Sequence, residues 1–230
     1  MSDKASASRA ADWMPPRTAA TAAALTVTLG LAAGCWIISV GQMRGMDMGV
    51  ATRLGTFAFF AALWVPMMAA MMLPGAIPAV VRRAQASDSV RALPAFVISY
   101  LAVWALVGVA VYELYRPHGS VVAGVLVIAA AVYELTPLKQ VCRRRCRVGG
   151  RSGIGFGLCC VGSSIGLMLI LLALGFMSLV WMAVITAVTV AQKLLPPRAA
   201  IDAPLALAIV GFGVLIIVAP TSIPGLMPPM

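Results

Sequence analysis

Seven apolar blocks, each about as long as a bilayer is thick, constrain the fold of this chain more than any motif in it. They run over 18–40, 56–80, 92–112, 119–138, 157–175, 178–195 and 203–220. An α-helix rises about 1.5 Å per residue, so about 20 residues cross a hydrocarbon core of about 30 Å. Lipid offers backbone N–H and C=O groups no partners, and open segments this apolar are therefore expected to be helical. The stretch from Leu158 to Leu195 is too long for one crossing and is expected to fold back at Gly175-Phe176-Met177-Ser178. The expected fold class is all-α, a polytopic transmembrane helical bundle of about seven spans forming a single membrane-embedded domain over 18–220. Residues 1–17, rich in Ala and Ser, are expected to be a disordered N-terminal tail, and 221–230 a C-terminal tail.

Composition points the same way. Apolar residues make up 62% of the chain and charged ones 10%, with a mean hydropathy of +1.00; soluble domains are roughly half apolar and a quarter charged. A bundle of this kind uses up the 230 residues and leaves no length for a soluble catalytic domain. There is no Ser/His/Asp set and no phosphate-binding Gly loop, and the chain has one histidine, His118. An enzyme is thus the least favoured class, and no organic cofactor is expected. The formal charge of +10 does not argue for nucleic acid, because Lys and Arg flanking apolar spans mark orientation and contact with anionic lipid.

Orientation follows from counting those cations. With the N-terminus inside, the inner connections hold Lys4, Arg9, Arg17, Arg82, Arg83, Arg91, Lys139, Arg143, Arg144, Arg145, Arg147, Arg151, Lys193 and Arg198. Only Arg44, Arg53 and Arg116 fall outside. The expectation is an N-in, C-out protein of a bacterial inner membrane, with anionic lipids on its cytoplasmic face. A lipoprotein signal ending at Ala32-Ala33-Gly34-Cys35 is disfavoured, because the run stays apolar through Trp36-Ile37-Ile38. Cys35 reads as a buried thiol.

In this topology Cys142, Cys146, Cys159 and Cys160 lie at the reducing inner face, which argues against disulfides. Cys142 and Cys146 are spaced i, i+4, on one face of a helix, and the neighbouring Arg cluster is expected to lower their thiol pKa values. Two readings stand open: these thiols ligate a soft metal, or they simply pack. Methionine gives a second signal. Trp64, Met67, Met68, Met71 and Met72 fall within an arc of about 140° on one helix face, with Ala69 and Ala70 on the other, and the thioethers climb about 7.5 Å. Such a ladder suits Cu(I), although a Met stripe also serves as adaptable core filler. In the outer connection, Met46, Asp47 and Met48 could ligate copper or dip into lipid. Glu134, near the inner end of the fourth span, is costly in lipid and hence a functional candidate, or else the partner of Lys139 or Lys193 in an ion pair.

These residues carry a resemblance. Over roughly 45–196 the chain resembles a bacterial family of predicted metal-binding integral membrane proteins still catalogued as a domain of unknown function. The matching strings are Trp64-x-x-Met67-Met68-Ala69-Ala70-Met71-Met72-Leu73-Pro74 with Pro78, Tyr133-x-Leu135-Thr136-Pro137-Leu138-Lys139-x-x-Cys142-x-x-x-Cys146, and Gly162 to Met168 followed by Gly175-x-Met177 and Trp181-Met182. The resemblance implies metal binding by such residues. It also shows departures: where the family carries Cys-x-Gly-Cys-Cys-Trp, this chain has Cys160-Val161-Gly162-Ser163-Ser164-Ile165, and a Glu-Lys pair reads Gln192-Lys193. Serine hydroxyls are hard and hold their protons, so a soft-metal site there should be weakened.

The expected function is binding or handling of a soft metal ion, copper before zinc, at Met46, Asp47, Met48, Met67, Met68, Met71, Met72, Glu134, Cys142, Cys146 and Cys160. The alternative is a non-catalytic membrane scaffold or accessory subunit docking a partner membrane or periplasmic protein through small-residue helix faces.

Overall fold

The computed structural model describes residues 16–44, 54–86, 92–148, 152–195 and 199–223. Among the described residues there are eight α-helices and no strand: α1 (Pro16–Met43), α2 (Phe57–Ala86), α3 (Ala92–Leu114), α4 (Ser120–Glu134), α5 (Pro137–Val148), α6 (Gly153–Leu174), α7 (Leu179–Leu194) and α8 (Ala199–Val218), followed by a 3₁₀ turn at Pro220–Ser222. Four of them, α1, α2, α3 and α6, are long and apolar enough to cross a membrane, and α4 with α5 makes a fifth if the bent pair is one span. The two remaining apolar blocks form shorter helices, α7 and the Asp202–Val218 part of α8.

Local chemistry explains the helix ends. Ser152 caps α6, its Oγ accepting from the Gly155 N–H at 3.1 Å, as hydroxyls do at helix starts. α6 stops at Gly175, whose φ of 106° lies in the region open to glycine. The chain turns through Gly175 to Ser178 into α7, the place expected for the hairpin. α4 does not run on to residue 138. It ends at Glu134, and α5 leaves at 63° to it. Thr136 makes the break: its hydroxyl donates to the Tyr133 carbonyl (2.7 Å) and accepts from the Lys139 N–H (3.4 Å). Pro137 then occupies the first helical position, where its missing N–H costs nothing.

α2 and α6 are central. α2 packs against α1, α3 and α7, and α6 against α3, α4, α5 and α7, while α8 lies along α4. Close approaches rest on glycine. A Cβ on Gly213 would stand 3.0 Å from the Gly124 carbonyl oxygen, so α4 and α8 cross backbone to backbone. The outward faces are apolar: Val27, Ile37, Leu106, Leu114, Val180, Leu207 and Val218 are all exposed. So continuous an apolar exterior fits hydrocarbon rather than water.

The two ends of the bundle differ. At one end Phe60 packs on Trp64, Tyr112 and Phe176, and Tyr115 on Phe176 and His118. The other end, where α2, α4 and α7 finish and α3 and α6 begin, carries Arg82, Arg83, Lys193 and the basic helix α5.

Candidate functional site

At the basic end, buried ionic groups lock four helices together. Lys139 of α5 pairs with Glu134 of α4, and both are almost fully buried. Gln192 of α7 serves both, its Nε2 donating to Glu134 Oε2 (2.6 Å) and its Oε1 accepting from Lys139 Nζ (3.0 Å). Arg143 of α5 pairs with Asp202 of α8 at 2.5 Å and donates to the Gln192 carbonyl at 2.7 Å. Gln140 donates to the second oxygen of Asp202 at 3.0 Å. Glu134 therefore sits in an ion pair with Lys139, one of the two partners anticipated for it. Charges this deep persist only when paired and hydrogen-bonded, and here each carboxylate has both kinds of partner.

The amphipathic helix α5 buries Lys139 and Arg143, leaves Arg144, Arg145 and Arg147 exposed, and turns Cys142 and Cys146 towards α6. Their environments separate them. Cys142 lies over Gly162, with its Sγ 2.6 Å from where a Cβ there would be. Cys146 is buried, with Ser163 Oγ 4.0 Å from its sulfur. The expected lowering of these thiol pKa values by the Arg cluster does not hold. Burial pushes Cys142 up, with Arg145 only partly opposing it. Burial pushes Cys146 from the ordinary 9.0 up to about 12, against a smaller opposing pull from Lys193. Arg144 and Arg145 are exposed, and water screens their charge.

One sulfur set does converge. Cys160, fully buried in the second turn of α6, accepts from Lys193 Nζ at 2.8 Å and lies 3.2 Å from the Tyr100 hydroxyl. The same ammonium points at Met72 Sδ, 3.8 Å away, and Tyr100 also reaches the Met72 carbonyl at 3.4 Å. Lys193 thus stands between a thiol and a thioether, its stem laid over Gly75, where a Cβ would meet Lys193 Cδ at 2.5 Å. Met67, Met68 and Met71 are fully buried, and so are Ala69 and Ala70, because α2 is wrapped on both faces. Only Met72 of the ladder meets a polar group in this site. Met46, Asp47 and Met48 lie outside the described residues.

Among the described residues no three His, Cys, Asp or Glu side chains gather in a way that could hold a metal ion. Among those residues, then, no four donors are assembled for a zinc cage. A mixed thiol and thioether set is chemically different, since two or three soft donors suit Cu(I). Beside it opens a cleft of about 140 Å³ bounded by Gly75, Phe156, Ser163, Cys146 and the cations Arg82, Arg143, Arg147 and Lys193. The sequence holds no spacing that singles out Tyr100, whose one signal is a hydroxyl in mid-block, and among candidate contacts it offers Lys193 as a partner of Glu134 and not of Cys160.

The fold and site define an all-helical chain with membrane-length helices and soft donors collected at one basic end. Residues 61–216 match the family described as copper chaperone, PpoB2, and the chain belongs to that family. No curated protein and no solved structure matches it.

Proposed function

We propose that this is a multi-pass membrane protein that accepts copper(I) at the basic end of its bundle, on Cys160 and Met72 with Cys146 as a further donor, and hands it on. The observation that carries the reading is Lys193: a cation already rests 2.8 Å from one soft sulfur and 3.8 Å from another. Copper(I) is a monovalent cation that prefers such donors, and it takes the place of the ammonium when the flexible Lys193 side chain swings into the adjoining cleft. Membership of a copper chaperone family supports the cargo, and the resemblance to predicted metal-binding membrane proteins supports the setting. Zinc, which needs four donors, is the poorer cargo.

The membrane reading takes α4 as a crossing and α5 as a helix lying at its inner end, so that α1 to α4 and α6 to α8 supply seven crossings. The apolar exterior and the basic residues collected at one end support an N-in, C-out arrangement in a bacterial inner membrane, with anionic lipid on the cytoplasmic side. The connection between α1 and α2 then belongs to the opposite side, where Met46, Asp47 and Met48 are the donors at which a membrane or periplasmic partner would exchange copper. Titration of the detergent-purified chain with Cu(I) tests the function. Wild-type protein should bind a stoichiometric ion that Cys160→Ser and Met72→Leu each lose. Unchanged stoichiometry in both variants would leave a scaffold that docks other proteins.

A further inference from the structure

The cleft beside the sulfur set has a charge that does not suit its proposed cargo. Arg82, Arg143, Arg147 and Lys193 line it, and its lining holds no Asp or Glu. Of these four only Arg143 has a carboxylate partner among the described residues, namely Asp202. A naked copper cation approaching through this opening meets repulsion, whereas an anion is drawn in.

We infer that the cleft receives copper(I) as an anionic dithiolate carried on a small carboxylate-bearing thiol, not as the free ion. The inference rests on the sulfur site proposed above. A dithiolate of Cu(I) is itself negative, and carboxylates on its carrier add charge that Arg82 and Arg147, both exposed at the cleft, can bind. The cleft of about 140 Å³ is smaller than the pockets that enclose whole ligands, so it admits the sulfur–copper–sulfur unit and one carboxylate and leaves the rest of the carrier outside. Cys146 and Ser163, both buried, are part of its lining. Transfer is then ligand exchange: a bond forms between copper and the Cys146 sulfur, one copper–carrier sulfur bond breaks, and the Cys146 proton leaves on the departing thiol. Copper stays monovalent, and no oxidant or reductant is needed. In a second exchange copper keeps its Cys146 bond, forms bonds to the Cys160 sulfur and the Met72 thioether, and loses its remaining bond to the carrier, which leaves as a thiol with the Cys160 proton.

The test compares two donors of equal copper content and opposite charge, copper(I)–glutathione and copper(I)–cysteamine, offered to the full purified chain, with loading followed by a chromophoric Cu(I) chelator. Loading from the glutathione complex should be about tenfold faster at low ionic strength, and the advantage should shrink as salt is added. Arg82→Gln with Arg147→Gln, both exposed positions, should bring the glutathione rate down to the cysteamine rate. Equal rates in the wild-type chain, or an advantage that survives in the double variant, would overturn the inference while leaving the copper site in place. Failure of both donors to load would overturn the site reading and this inference with it. Repeating the comparison in phosphatidylglycerol and phosphatidylcholine nanodiscs separates carrier from lipid. An advantage seen only without phosphatidylglycerol would show that lipid headgroups own the cleft, and would also overturn the inference.

Discussion

At the scale of single residues the side chains nearest the sulfurs carry the sharpest expectations. Replacing Lys193 by Met removes a positive charge and adds a thioether, so Cu(I) affinity measured by chelator competition should rise about tenfold or more. Weaker binding would show that the ammonium supports the site instead of filling it. Met67→Leu, Met68→Leu and Met71→Leu should leave copper binding intact and cost less than about 1.5 kcal/mol each, whereas Met72→Leu should abolish it. Cys146 should resist iodoacetamide. With its pKa near 12 instead of 9.0, only roughly one thiol in ten thousand is ionised near pH 8. The folded state holds this proton more tightly than the unfolded chain, so the stability from its burial is complete below pH 9.0 and is lost as pH climbs towards about 12. Rapid labelling of native protein would contradict this burial. The sequence displayed the donor types but not their grouping. Cys142 and Cys146 share a helix face, and that local fact was readable. Lys193 meets Cys160 and Met72 only because α2, α6 and α7 converge, and no spacing along the chain encodes that convergence.

At the scale of elements, α5 is the part most dependent on tertiary partners. It is a short basic helix held by two buried ion pairs, and removing one member strands the other. Glu134→Ala should cost about 3–5 kcal/mol in thermal or denaturant melts in detergent, and adding Lys139→Met should recover most of it. If the double variant were as weak as the single one, the pair would not be the source of the loss. The crossing of α4 and α8 makes a similar demand on size: Gly124→Leu should release α8, seen as new protease cleavage near Leu195. Here the sequence was partly legible. Hydropathy is a local sum, so the apolar blocks and the turn at Gly175 were within reach. The block over 119–138 read as one span, yet Thr136 and Pro137 end it and cap a new helix, because a hydroxyl and a missing N–H are what a helix start requires.

At the scale of the whole molecule, the asymmetry between an aromatic end and a basic end predicts sidedness. Reporter fusions near Arg145 should be cytoplasmic, and fusions near Asp47 and Met230 external. An external label reaching residues 139–151 would reverse the arrangement. This polarity was visible in the sequence as the uneven distribution of Lys and Arg, whereas the buried pairing of Arg143 with Asp202 was not, since Asp202 lies 59 residues further along the chain. The four residues from Gly175 to Ser178 that join α6 to α7 have a further consequence for how the protein is made. In the membrane arrangement proposed above, so tight a connection would expose almost no polar chain on the far side of the bilayer. During synthesis α6 and α7 should therefore leave the translocation machinery as one hairpin, the second helix carried in by the apolarity of the first. Lengthening that turn with a hydrophilic insert should uncouple the two and strand the shorter, less apolar α7 outside the lipid, with Lys193 far from the sulfurs it guards.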